Sequence, residues 1–291
     1  MVILYEVAAK KIIPLLKGVI VHELYREGYS QRKIASLINI TQPQVYKYLS
    51  RDINYYYSQL EKLGFDLERI KYYVSLLVDL LKKKEMIKYI VLINGIIHEL
   101  TVDYVCREYS LPEKICRNGR LSDPDIEYYR EWLDRIIKLP GLAQYIPEVG
   151  SNIVYAPVKP HGLSDIIGLT GRIVRVHNVI RVVGEPVYGG SRHLSRVLLL
   201  AVKYDKHRRV AMNISYDKTI EKLSSRYQIE YSGPHESIEN FWAELDNVLR
   251  KKPDIVLDLG GYGLEPITYI LANSFEELEK ILRELIKKSS V

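Results

Sequence analysis

Residues 188–217 read YGGSRHLSRVLLLAVKYDKHRRVAMNISYD. A Gly-Gly-Ser turn enters a structured element through Arg192 and His193, and two apolar runs of strand length follow, VLLLAVKY and AMNISY. If the element after the turn is a helix, the free N–H groups at its start form an anion site suited to phosphate. Gly189, Gly190 and Ser191 would supply amides, and Arg192 and His193 side-chain donors; a glycine turn with solvated charges is the plainer alternative. Working outward, IVYAPV, RIVRVHNVIRVVG, DIVLDLG and ITYILA are further strand-like runs. They alternate with helical stretches at 215–226, 238–251 and 275–288, which predicts an α/β domain over 139–291.

Other residues of this half stand out singly. Arg172, in GRIVRV, places charge on a strand-like run and either faces water or pairs with a phosphate. LDLGGYGLEP puts Asp258 at the end of a buried-looking strand, before three glycines in four positions and Glu265. An acid there is either a cap or a pocket residue. Asn213 and Asn152 sit in strand-like runs, where each can serve a ligand or a neighbouring backbone. Together these residues point to an anionic small ligand.

Upstream, residues 30–51 read SQRKIASLINITQPQVYKYLSR. Ser30 is placed to cap a helix, Ile34, Leu37 and Ile38 to face inward, and small Ala35 to permit close helix approach. Asn39 suits a left-handed turn, Ile40 plugs it, and Thr41 with Gln44 forms a capping box. Val45, Tyr48 and Leu49 return the apolar stripe to the core, and residues 15–27 provide a supporting helix. A helix-turn-helix is expected, with Thr41, Gln42, Gln44, Lys47 and Arg51 projecting toward a DNA major groove and its phosphates; a plain helical hairpin is the alternative. Charge agrees: residues 1–52 carry 8 Lys/Arg and 4 Asp/Glu, while 53–138 carry 14 of each. That middle segment has helical apolar periodicity, with Gly64 and Pro112 as breaks, and is assigned to dimerisation, because a reader of paired half-sites needs a two-fold axis. Tyr55, Tyr56 and Tyr57 are read as packing residues.

The composition, 47% apolar and 27% charged, is that of a globular chain. No apolar stretch is read as long enough to span a bilayer, 90–100 being broken by Asn94 and His98, and no signal peptide is evident. Cys106 and Cys116, with nine residues between them, fit no common zinc spacing and are read as unpaired thiols, a metal site with His98 being the alternative. The expected compartment is the cytoplasm.

Taken in order, IPEVGSNIVYA, GRIVRV, the GGSRHLSRVLLLAVKYD block, RRVAMNISY and PDIVLDLGGYGLEP resemble the archaeal thiamine-phosphate synthase domain called ThiN, over about 140–285. Enzymes of that family join hydroxymethylpyrimidine diphosphate to thiazole phosphate, and are usually fused to a kinase domain. A helix-turn-helix in the kinase's place resembles the archaeal ThiR regulators. The resemblance implies a multidomain protein: an all-α helix-turn-helix (1–52), a helical segment (53–138) and an α/β ThiN-like domain (139–291). It implies a homodimer on palindromic double-stranded DNA, responding to thiamine phosphate or thiamine diphosphate. No cofactor is required, and Mg²⁺ would accompany a diphosphate ligand. The family's catalytic Arg and His fall on Arg172 and His193. Its glycine-rich segment usually carries basic residues where Leu259 and Leu264 stand here, which favours a sensor over a synthase.

Overall fold

The computed structural model describes residues 2–113, 115–116, 121, 123–261, 263 and 265–289, without the side chains of 238, 239 and 289. They form two compact units, Met1–Asp123 and Pro124–Val291. Residue 52 lies inside the first unit and residue 138 inside the second. Helices on both sides of residue 52 share a core in which Leu16, Ile20, Ile34 and Val45 pack with Leu60, Val74 and Leu77. The helix before residue 138 buries Tyr129, Trp132 and Ile136 in the second unit.

In the first unit, α1 (Leu4–Val7) runs through a π-helical turn (Ala8–Ile12) into α2 (Ile13–Arg26). Then come α3 (Gln31–Leu37), α4 (Gln42–Leu49), α5 (Ile53–Lys62), α6 (Leu67–Lys82) and α7 (Met86–Glu108). The local chemistry of α3 and α4 follows the sequence. The Ser30 hydroxyl accepts from the Lys33 amide at 3.3 Å, and Asn39 has φ 52°. The Thr41 amide donates to Gln44 Oε1 at 2.8 Å, and the Gln44 amide returns a 3.4 Å bond to Thr41 Oγ1. Val45 and Ile34 are fully buried and Ala35 nearly so.

Two expectations are corrected in this unit. Helix α7 is long and apolar enough, by length and composition alone, to cross a bilayer. Asn94 and His98 do not interrupt it, because a helix buries one stripe and leaves polar residues on another: Ile96, Leu100 and Val105 are buried, while Ile87 and Val91 are exposed. Cys106 and Cys116 are joined in a disulfide, with Cα atoms 6.1 Å apart. The chain turns back after α7, with the Leu111 amide bonded to the Cys106 carbonyl and the Cys116 amide to the Glu113 carbonyl, both at 3.0 Å. That return meets the distance a disulfide needs, and linear spacing does not reveal it.

The second unit opens with α8 (Pro124–Ile137), followed by β1 (Ile153–Tyr155), β2 (Ile167–Leu169), β3 (Arg172–Val176), β4 (Val179–Val183) and β5 (Pro186–Tyr188). After α9 (Arg192–Tyr204) come β6 (Val210–Ser215), β7 (Ile229–Ser232), α10 (Ile238–Leu249), β8 (Ile255–Asp258), β9 (Ile267–Ala272) and α11 (Phe275–Ser289). Seven strands form a mixed sheet in the order β5-β2-β1-β6-β9-β8-β7, and β3 pairs with β4 as a separate ribbon. Among the described residues, β7 and β8 are the one parallel pair of strands in this sheet. Side chains alternate across the sheet. Met212, Ile214, Leu257 and Ile270 pack under α8 and α11. Ala211, Val256, Tyr269 and Leu271 pack under α9 and α10. The first and last helices also meet: Trp132 stacks on Phe275 with centroids 5.6 Å apart, and Arg135 lies 2.7 Å from Glu279.

The run VLLLAVKY is helical, in α9, and not a strand. Leu194, Val197, Leu198, Ala201 and Val202 are buried while Arg192, Arg196 and Lys203 are exposed. That spacing has the helical period, and the adjacent leucines hid it. Strands β2, β5 and β7, of three or four residues each, lie outside the strand-like runs. The stretch 215–226 holds only a 3₁₀ segment, Lys218–Leu223.

Candidate ligand cleft

Pairing across the sheet sets Asn213 beside Tyr269, and Ile267 beside Asp258. These residues lie where β6 and β8 end, β9 begins and the first turn of α9 arrives. Two adjoining cavities open there. The larger, about 550 Å³, is lined by Asn152, Arg172, Ser191, Arg192, Asn213 and others. The smaller, about 190 Å³, is lined by Phe241, Trp242, Asp258 and Tyr269. His193, Glu265 and Ile267 border both. A groove of about 510 Å³ in the helical unit lies among α2, α5 and α6. Its charges oppose each other, as in the 2.6 Å Lys82–Glu27 pair, so it presents no single chemistry to a ligand.

The anion end of the cleft differs from expectation in one respect. The amides of Gly189, Gly190 and Ser191 bond the carbonyls of Ile166, Val187 and Leu169, at 2.8, 3.2 and 3.1 Å, and are not offered to a ligand. Gly190 is a packing residue: a Cβ there would lie 2.1 Å from the Gly168 carbonyl oxygen. What faces the cavity is the next turn. Ser191, at φ 50°, makes no side-chain capping bond to α9. The first-turn amides of Arg192, His193 and Leu194 have no partner within the helix, and all three residues line the cavity. Arg172 borders the same space and donates to the Val149 carbonyl.

Asn152 and Asn213 shape the wall. The Asn152 amide donates to Asn213 Oδ1 at 2.8 Å, and Asn213 Nδ2 donates to the Gly150 carbonyl at 3.1 Å. Asn152 Nδ2 donates to the Gly171 carbonyl at 2.9 Å, and Oδ1 accepts from the Leu169 amide at 3.2 Å. Both side chains serve backbone. Glu265 accepts from the amides of Glu148 and Val149, at 3.2 and 3.1 Å, and so pins that loop to the glycine segment. Leu259 is part-buried; Leu264 lies outside the described residues.

His193 is accessible from the cleft but enclosed on its other sides, with Nε2 2.8 Å from the Tyr269 hydroxyl and Trp242 at 5.1 Å. Desolvation, with a smaller contribution from Arg196, lowers its pKa below the usual imidazole value. The neutral ring is therefore the folded protein's form at pH 7. A depressed histidine leaves the unfolded chain binding more protons below about pH 6.5. His193 thus contributes stability above that pH that is lost as pH falls. Comparing melting temperatures at pH 7.5 and 5.5 should show a smaller acid-induced drop in His193→Gln than in the parent; equal drops would refute this.

Residues of the smaller cavity were partly missed in the sequence. Phe241 and Trp242 come from α10, where nothing but aromatic composition marks them, and their rings meet edge to face at 4.8 Å. Arg196 stacks on the Trp242 ring at 3.9 Å.

A family model described as thiamine-phosphate synthase ThiN matches residues 129–284, more than half of the sequence. The chain belongs to the ThiN family. The match begins within α8, in keeping with the unit boundary at 123. The bifunctional thiamine biosynthesis protein ThiDN of Methanocaldococcus jannaschii is 32% identical over 151 residues, 49% of this chain and 36% of that one. The thiamine-phosphate synthase ThiN of Methanothermobacter thermautotrophicus is 26% identical over 178 residues, 56% of this chain and 93% of that one. Thus the chain spans about a third of the first relative's length and nearly all of the second's. Among solved structures, the C-terminal domain of a phosphomethylpyrimidine kinase superposes with a TM-score of 0.50 at 26% identity, over 55% of this chain and 97% of that one. The α/β unit is thus a ThiN domain, and the helical unit lies outside the family match.

Proposed function

We propose that the ThiN domain forms thiamine phosphate from hydroxymethylpyrimidine diphosphate and thiazole phosphate. The observation that carries this is the uncapped start of α9, flanked by Arg172 and Arg192, opening into a cavity that adjoins an aromatic one. In the reaction the thiazole nitrogen bonds to the pyrimidine's methylene carbon as the carbon–oxygen bond to diphosphate breaks. Negative charge grows on the departing diphosphate. Two guanidinium groups and three helix-terminal amides would meet that charge where it develops. His193, neutral and adjacent, would position the reacting groups. Mg²⁺ would enter with the diphosphate. The test is a single-turnover assay of the full chain with both precursors. Thiamine phosphate and diphosphate appearing in equal amounts supports the reading; no product at enzyme excess rejects it.

A second reading rests on the helical unit. Thr41, Gln42, Gln44, Lys47 and Arg51 are all exposed along or beside α4, as is Tyr46 at 65%. Thr41 and Gln44 are partly engaged with each other in the cap, and Arg51 lies over the Tyr55 ring at 4.5 Å. This surface fits a reader of double-stranded DNA, acting as a homodimer on a palindromic operator. The ThiN domain would then sense thiamine phosphate or thiamine diphosphate in the cytoplasm. A gel shift with the gene's own upstream DNA, with and without these ligands, tests it. A shift that Lys47→Ala weakens supports DNA reading, and no shift under any ligand condition rejects it.

A further inference from the structure

In the smaller cavity one carboxylate oxygen is unaccounted for. Asp258 is 2% exposed. Its Oδ1 accepts from the Gly260 amide at 2.8 Å and lies 3.2 Å from His235 Nε2. Its Oδ2 is buried without a hydrogen-bond partner. Leaving a buried carboxylate oxygen unmatched is costly, and such an atom in a cavity wall implies a donor brought by a ligand. The rest of that wall is mostly aromatic, from Phe241, Trp242, Tyr269 and His193, with Ile267 and with Glu265, whose carboxylate already accepts from the Glu148 and Val149 amides. Aromatic faces around an unpartnered acceptor select a flat ring bearing an N–H group.

His235 explains how the carboxylate is held. Its side chain is fully buried, with Nε2 toward Asp258 on β8 and Nδ1 2.7 Å from Glu244 Oε2 on α10, an ion-pair distance without hydrogen-bond alignment. Phe241 meets its ring edge to face at 4.9 Å. Its backbone is locked too: the His235 amide donates to the Gly260 carbonyl at 2.7 Å, and a Cβ on Gly261 would lie 2.1 Å from the His235 carbonyl oxygen. Thus Glu244, His235 and Asp258 form a chain from the accessible face of α10 to the cavity. With Oδ1 engaged by His235 and Gly260, Oδ2 is the oxygen left for the ligand.

We propose that the smaller cavity is a ring subsite for an amino-bearing heteroaromatic ring, that Asp258 Oδ2 accepts from its amine, and that His235, bridged to Glu244, is the positioning residue that aims Asp258. This deepens the functional reading above and rests on it for the identity of the ring's phosphorylated partner, though not for the ring chemistry.

The test uses the full chain, calorimetry, and two unphosphorylated probes: 4-amino-5-hydroxymethyl-2-methylpyrimidine and its 4-oxo counterpart. Thiamine phosphate is titrated in parallel. The parent chain should prefer the amino ring by about tenfold to a hundredfold, the range of a hydrogen bond to a charged group. Asp258→Asn, which can donate to the oxo group, should reverse the preference. His235→Leu should bring the ratio close to one, while His235→Gln, which keeps a donor, should retain most of it. A merely structural role for His235 would weaken both probes equally and leave the ratio unchanged. Equal binding of the two rings, or binding of neither, overturns the proposal even if thiamine phosphate binds. Selective binding of the amino ring without any binding of thiamine phosphate sustains the subsite and overturns the functional reading instead.

Discussion

Arg172→Ala and His193→Ala should each lower the single-turnover rate of thiamine phosphate formation by about two to four orders of magnitude. The two act differently. Arg172 sits at the lip of the larger cavity, tied to the Val149 carbonyl, so its guanidinium is oriented before any ligand arrives. Such preorganised charge is most effective on a group whose charge grows during reaction. Arg172→Lys keeps the charge and loses the planar fork, and should recover only part of the rate. His193 joins the two cavities and reaches the Tyr269 hydroxyl. Removing it leaves that buried phenol without its partner and opens a gap beside Trp242. Rates within tenfold of the parent in both alanine variants, with folds intact by circular dichroism, would exclude these residues from the chemistry. If the domain acts as a sensor, the same substitutions should weaken thiamine phosphate binding at least tenfold, read by calorimetry.

Asn213→Leu should destabilise the ThiN domain by about 2–6 kcal/mol. The substitution is close in size, so the loss is not one of packing. It removes the acceptor of the Asn152 amide and the donor to the Gly150 carbonyl, and it does so at a position only 9% exposed. Two buried backbone groups are then orphaned, each costing about 1–3 kcal/mol. The loop 149–152 that carries one wall of the cleft loses its anchor as well. Urea unfolding of the full chain, followed by the fluorescence of Trp132 and Trp242, measures the loss. A change below about 1 kcal/mol would show that this buried asparagine is not a latch.

How much of this was legible in the sequence depends on the range of the interaction. The caps at Ser30 and Thr41 and the turn at Asn39 are decided within four residues, and the structure places their bonds as the spacing requires. The α/β character was equally plain, because alternation in AMNISY and ITYILA is local. The cleft was half legible. Arg172, Arg192, His193 and Glu265 were recognised as residue types and do line one space. What the glycine turn does was not: whether the amides of 189–191 serve a phosphate or the strands beside them depends on Ile166, Val187 and Leu169, between 3 and 23 residues away in sequence. His235 and Glu244 carried no signal at all, since their partnership with Asp258 exists only across β8 and α10. The disulfide is a different case: a cytoplasmic chain is expected to keep its thiols apart, and the turn after α7 brings Cys106 and Cys116 together regardless.

The contact between α8 and α11 has a consequence for how this domain is made. Trp132 and Phe275, which stack face to face, belong to the first and last helices of the unit. On the ribosome the first helix emerges with its apolar stripe bare and must wait for nearly the whole domain before its partner exists. The central strand β6 waits too, because its neighbour β9 is among the last elements of the unit to be translated. Closing so large a loop is slow compared with local helix formation. The nascent ThiN domain therefore spends most of its synthesis with one sheet face uncovered, a window in which misassociation competes with folding. The helical unit precedes it in the chain, and the contacts of its own core are complete well before that window ends.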